Sequence, residues 1–150
     1  MSADTTSGGG AATRDDRYLL IEAGDDRCIL PLDRVRRIVR ELQVTPLPGA
    51  SAELKGLAEF GGEPLAVLDF SRLIGATPGA NPAYPVTVIA WAGSEGAREL
   101  VGLQVDSVLE VVTVAPDAIV AGGEGIVRGD VSLQERPVRV ISLSALGSVA

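Results

Sequence analysis

The sequence predicts an all-β protein made of two similar lobes, and three observations carry that prediction. Short runs of β-type residues alternate with turn signals built on Gly, Pro, Asn and Asp. No segment carries the long 3.6-residue apolar stripe of a packed helix. The later part of the chain repeats the earlier part at a spacing of 73 residues.

Taken in order, Met1 to Asp16 is rich in Ser, Thr, Gly and Asp, lacks an apolar centre, and is expected to be a flexible tail (residues 1–16), not a secretory signal. Tyr18 to Ala23 and Arg27 to Pro31 are strands around the turn Gly24-Asp25-Asp26. Asp33 is placed to cap one helical turn through Arg37, and Ile38 to Gln43 follows as a strand. Pro46, Pro48 and Gly49 break the chain. Leu54 to Phe60 and Pro64 to Asp69 pair around Gly61-Gly62, which tolerates positive φ. A helical turn at Phe70 to Ile74, capped by Asp69, ends at Gly75. Ala76 to Pro85 reads as a linker. Val86 to Trp91 and Glu99 to Val105 form the next hairpin, and Val108 to Val114 is a strand. A Gly-rich loop spans 115–125, Ile126 to Leu133 and Val138 to Ile141 make the last hairpin, and a short turn closes at Leu146.

The repeat overlays residues 30–73 on 103–146 without a gap. The shared residues include Leu30/Leu103, Asp33/Asp106, Val35/Val108, Gly49/Gly122, Gly56/Gly129, Pro64/Pro137 and Leu73/Leu146. Chance apolar matches do not account for shared Asp, Gly and Pro at one offset. The expected organisation is one domain, 17–147, with lobes at 27–75 and 86–147 whose first strands are partly exchanged or shared. Each lobe has about five short strands, near the lower limit of independent stability, so the lobes should bury apolar surface against each other.

Composition narrows the function. The 150 residues are 46% hydrophobic, enough for a core. A net charge of −7 argues against a nucleic-acid partner. There is no histidine, which removes Ser–His–Asp and Cys–His catalysis and His-based zinc sites. The single cysteine, Cys28, lies in an apolar strand and reads as a core residue of a protein in a reducing compartment. No apolar run approaches the roughly 20 residues that cross a bilayer, so a cytoplasmic location without membrane insertion is expected. The chemistry search is empty. Asp33 and Asp106 lack the oxygen ligands of a Ca²⁺ loop, the glycines lack phosphate-loop spacing, Ser71 and Ser144 lack a base, and Lys55 reads as a surface charge. No cofactor and no metal are expected. Arg34, Arg36, Arg37 and Arg40 cluster in an otherwise acidic chain, either as a solvated face or as a docking patch for a partner's carboxylates.

Several stretches together resemble the CheW-like domains of chemotaxis adaptors. Tyr18 to Gly24 and then ILPLDRVRRI (29–38) are similar to the family's opening hairpin and V-x-E-I segment. KGLAEFGG (55–62) stands where the family has G-V-x-N-x-R-G, and PLAVLDF (64–70) is similar to the strand that follows. VGLQVDSVLEV (101–111) resembles G-L-x-V-D-x-V-x-E-V and is the most specific stretch. The resemblance implies two packed SH3-like five-stranded barrels with short helical turns. It implies a non-enzymatic adaptor that joins the cytoplasmic tip of a chemoreceptor to the regulatory domain of a CheA-type histidine kinase. By position, Val35, Ile38, Lys55, Gly56, Glu59, Phe60, Gly61 and Gly62 belong to the receptor groove. Arg34, Arg36, Arg37 and Arg40 are the candidate kinase or partner contacts. Two departures stand out: Glu59 and Gly61 replace the family's asparagine and arginine, so the charged contact at that loop cannot form. The alternative is therefore a divergent scaffold of a specialised pathway, in motility or development, that binds a kinase or another adaptor without ordinary receptor contact.

Overall fold

The structure is a computed structural model that describes residues 16–77 and 85–146. The expected tail falls outside these residues up to Asp15, as does most of the expected linker, 78–84.

Eleven strands are present among the described residues. They are β1 (Arg17–Ala23), β2 (Asp26–Pro31), β3 (Val35–Arg40), β4 (Leu54–Phe60), β5 (Glu63–Asp69), β6 (Val86–Ala92), β7 (Glu99–Val105), β8 (Ser107–Thr113), β9 (Val120–Ala121), β10 (Val127–Leu133) and β11 (Arg136–Ile141). One helical turn, α1 (Phe70–Leu73), follows β5, and single 3₁₀ turns cover Leu32–Arg34, Pro116–Ala118 and Leu143–Ala145. The expected all-β class with single-turn helices holds.

The strands form two sheets, ordered β8-β1-β2-β11-β10-β9 and β3-β6-β7-β5-β4. Whole hairpins therefore change halves: β1–β2 completes the sheet of β8–β11, and β6–β7 completes that of β3–β5. The hairpin ladders are antiparallel, whereas β2 runs parallel to β11 and β7 parallel to β5. The 73-residue repeat extends to irregularities. Arg36 on β3 and Leu109 on β8 are each an extra, unpaired residue at a register slip. Lys55 on β4 and Arg128 on β10 are the same. The parallel pairs Ala66↔Val101 and Arg139↔Cys28 also exchange residues at this spacing. Two copies of one sequence pattern thus fold with the same bulges.

The exchange explains why YLLI, CIL and VTVIA are buried continuously and do not alternate between buried and exposed residues. A strand buried on both faces has no polar side to show. Leu19, Ile21, Ala23, Cys28 and Leu30 face a shared cluster with Val88, Ala90, Val101 and Leu103 of the other sheet, together with Phe70, Ile141 and Leu143. The opposite faces fill separate lobe cores. Tyr18, Leu20 and Ile29 pack with Val131, Val138 and Val140, while Ile89 packs with Leu65 and Val67. The largest cluster lies between the lobes, so neither lobe is closed without the other.

One local expectation is corrected. Asp33 does not cap a turn reaching Arg37: the 3₁₀ turn covers Leu32–Arg34, has no side-chain cap, and gives way to extended backbone at Val35. A β-branched residue with a strand partner in Ala90 leaves no reason to continue a helix. Asp69 does cap α1, accepting from the Arg72 amide at 3.4 Å.

Candidate partner-binding surface

The second sheet has β3 and β4 at its two ends, and closure of the lobe brings their far corners together at Phe60. The register slip at Val35/Arg37 leaves Arg36 unpaired, and both neighbouring guanidinium groups reach the same ring. The Arg36 and Arg37 Cζ atoms lie 5.9 and 5.8 Å from the Phe60 ring centre, within cation–π range. Phe60 is half-buried against the lobe core beside Val39, Leu42 and Val44. Ile38, between the arginines and Val39, is 43% exposed. Leu47 and Leu57 are the other large apolar side chains exposed on this lobe.

The structure separates residues that the sequence groups together. Arg34 is not on the exposed face. Its guanidinium donates to the Gly93 carbonyl at 2.7 Å and the Trp91 carbonyl at 3.3 Å, pinning the turn of the β6–β7 hairpin. Val35 is half-buried and packs on the inter-lobe cluster. Gly56 is buried inside the fold: a Cβ there would sit 2.1 Å from the Thr45 carbonyl oxygen, so glycine lets the 45–46 segment cross β4. Its repeat mate Gly129 has the same task under Val120. Lys55 sits five residues along the strand from Phe60, about 16 Å at the usual rise. It faces Asp69 at 3.8 Å, which also meets Arg72 at 3.7 Å. Glu59, Gly61 and Gly62 are exposed at the hairpin end, and a side chain added at either glycine would meet nothing within 4 Å. The exposed residues at this end of the sheet are therefore Arg36, Arg37, Ile38, Arg40, Glu59 and the Gly61-Gly62 tip; Phe60 is half-buried on the side of Val39, and Ile38 and Glu59 alternate to the other side.

The equivalent face of the other lobe went unread in the sequence. Leu109, Val111 and Val120 are exposed there, the last two at 50% and 70%. The repeat contained the signal, since Val111 is the mate of Ile38 and Val120 the mate of Leu47. Beside them an open groove of about 350 Å³ runs between β8 and the β10–β11 hairpin, with Leu20, Val112, Leu133 and Val138 at its base. Leu133 occupies the place of Phe60, and the mates of Leu42 and Val44 are Ala115 and Asp117.

The remaining polar groups hold the lobes in place. Asp106 accepts from the Gly24 amide at 3.1 Å, and its own amide donates to Glu22. Its carboxyl is held above the ordinary range, first by burial and then by the charges of Asp69 and Glu22, against the opposing Gly24 hydrogen bond. Arg139 pairs with Asp26 at 2.9 Å and donates to the Ile74 carbonyl, tying β11 to α1 of the other lobe. Cys28 is fully buried, and burial pushes its thiol up to about 12. Among the described residues, no helix is long and apolar enough to cross a membrane.

The comparisons agree with this architecture. The family model described as "CheW-like domain" matches residues 17–150. A probable chemotaxis protein CheW from Rhizobium etli is 28% identical over 141 residues, covering 89% of this chain and 88% of that protein. The chemotaxis protein CheW of Rhizobium meliloti is 26% identical over 135 residues, covering 85% and 84%. The crystal structure of the scaffolding protein TtCheW from Thermoanaerobacter tengcongensis superposes with a TM-score of 0.74 over 86% of this chain and 90% of that one. At 18% identity that likeness establishes the two-lobed SH3-like fold. Joined by the duplicated lobes, the exchanged hairpins and the match from residue 17 onward, these findings place the chain in the CheW-like domain family, as a chemotaxis adaptor.

Proposed function

We propose that this adaptor couples the cytoplasmic tip of a chemoreceptor to the regulatory domain of a CheA-type histidine kinase, in the cytoplasm and by protein–protein contacts alone. The observation that carries the reading is the family match over nearly all of the chain outside the tail. The surface supports it. Each lobe presents large exposed apolar residues at repeat-related positions, Ile38 and Leu47 on one and Val111 and Val120 on the other. Paired faces on a rigid body suit a protein that must hold two partners at a fixed spacing. Val35, Ile38, Lys55, Gly56, Glu59, Phe60, Gly61 and Gly62 mark the region assigned to the receptor. In that assignment Ile38, Phe60 and the hairpin tip make contact, while Val35 and Gly56 support them from inside.

The test is titration of the purified full chain with two fragments encoded in the same genome, the receptor tip and the kinase regulatory domain. Saturable binding to each supports the proposal, and binding to neither defeats it. Kinase binding without receptor binding would instead favour a specialised scaffold, the reading that Gly61 in place of arginine raises.

A further inference from the structure

The geometry points to Arg36 and Arg37, held against Phe60, as a clamp that reads a carboxylate on a protein partner. This deepens the adaptor reading and rests on it for the identity of that partner, but not for the chemistry of the clamp.

Four observations carry the inference. First, the two arginines are unpaired: among the described residues every ion pair involves Arg27, Lys55, Arg72, Arg98 or Arg139, and none involves Arg36, Arg37 or Arg40. In a chain of net charge −7, acidic side chains are abundant, so adjacent cations without one are an outward-facing feature. Second, both guanidinium groups lie within 6 Å of one ring centre. Contact with an aromatic ring leaves the edge N–H donors of a guanidinium available and limits its rotamers, so less entropy is lost when a ligand is gripped. Third, the arrangement is not required by the fold. The repeat mates of Arg36, Arg37 and Phe60 are Leu109, Glu110 and Leu133, and the same bulge forms around them. Fourth, the hairpin tip next to Phe60 in the chain, Gly61-Gly62, has no side chains, and a Cβ added at either would meet nothing within 4 Å.

The ligand chemistry follows. A planar guanidinium fork matches a carboxylate with two parallel hydrogen bonds. The occupant is therefore an acidic segment of a protein partner. A polyphosphate backbone fits less well, because the net negative charge of the chain opposes a long polyanion.

The experiment uses the full chain labelled with ¹⁵N and follows the arginine Nε–H signals during titration with hexaglutamate at low salt. The expected result is selective movement of the Arg36 and Arg37 signals, abolished by 0.3 M NaCl. The R36Q/R37Q double variant should lose binding at least tenfold, R36K/R37K should recover only part of it, and F60L, which copies Leu133, should weaken it several-fold. Arg34 should not respond. Unchanged Arg36 and Arg37 signals at millimolar peptide would overturn the clamp, as would stronger and equally selective shifts with a single-stranded DNA oligonucleotide. A second arm repeats the series with the receptor tip and kinase fragments. If wild type binds a fragment and R36Q/R37Q binds it equally well, the clamp is refuted while the adaptor reading stands. If hexaglutamate shifts the arginines but neither fragment binds, the adaptor reading fails and the clamp stands.

Discussion

Replacing Gly56 by alanine separates a structural role from a groove-lining one. The added Cβ would lie 2.1 Å from the Thr45 carbonyl oxygen and 2.9 Å from Pro46 Cα, both backbone atoms with no flexible end to move aside. The crossing segment is bound to β4 on each side of the clash, Thr45 N–H to the Leu57 carbonyl at 2.8 Å and Leu57 N–H to the Thr45 carbonyl at 2.9 Å. Relieving the overlap means giving up both bonds, at about 0.5–1.5 kcal/mol each. The backbone at φ 151° adds a cost of about 1–3 kcal/mol for any residue with a Cβ. The stiffer unfolded chain returns about 0.4–1 kcal/mol. The expected net loss is roughly 3 kcal/mol. Gly61→Ala is the companion variant. It has the positive φ of 62° but open space around it, so it should cost only about 1–2 kcal/mol. Urea unfolding followed by circular dichroism reads both. A Gly56→Ala protein within about 0.5 kcal/mol of wild type, or one of full stability that has lost partner binding, would refute the reasoning.

Three further outcomes follow from the same geometry. Gln134 and Glu135 hold φ of 52° and 62° where the first lobe has Gly61-Gly62, so Q134N/E135G should raise stability by about 1 kcal/mol in urea unfolding; no gain would mean the turn is not strained. Asp106, with its carboxyl held above the ordinary value of 3.8, binds its proton more tightly folded than unfolded. Its contribution to stability is therefore full below that value and is lost as pH rises through the raised one. Asp106→Asn can still accept from Gly24 and cannot ionise, so it should gain on wild type at pH 7 and lose that advantage toward pH 3.5; a constant difference would contradict the assignment. The Cys28 thiol, buried and raised to about 12, should resist a thiol reagent at pH 8 in the native protein and react at once in urea, whereas fast native labelling would show that the inter-lobe cluster opens.

Much of the fold was legible because the chain states its pattern twice. Shared Asp, Gly and Pro at one offset gave the two lobes, and apolar runs between turn residues gave nearly every strand. The two-residue β9 carried no such signal. Strand edges moved where a ladder partner outweighed local preference, as at Val35, which began β3 three residues early. The hairpin exchange was half visible: runs such as YLLI without alternation implied burial on both faces, but not which sheet each would join. The site was harder. Arg34 and Arg36 look alike in sequence, and only the fold shows that one holds backbone carbonyls while the other, freed by a bulge, stacks on Phe60. Gly56 and Gly61 likewise differ only in what passes over them. The repeat relates Val111 to Ile38, a residue the sequence already marks, whereas Val120 answers to Leu47, which carries no such mark.

The central claim is that two faces of one rigid, duplicated β-body hold two proteins at once. Light scattering on a size-exclusion column, run on the full chain mixed with the kinase regulatory domain and the receptor tip, weighs that assembly directly. A single peak whose mass contains all three is the result this account predicts; two fragments that displace each other, or that both elute apart from the chain, would contradict it.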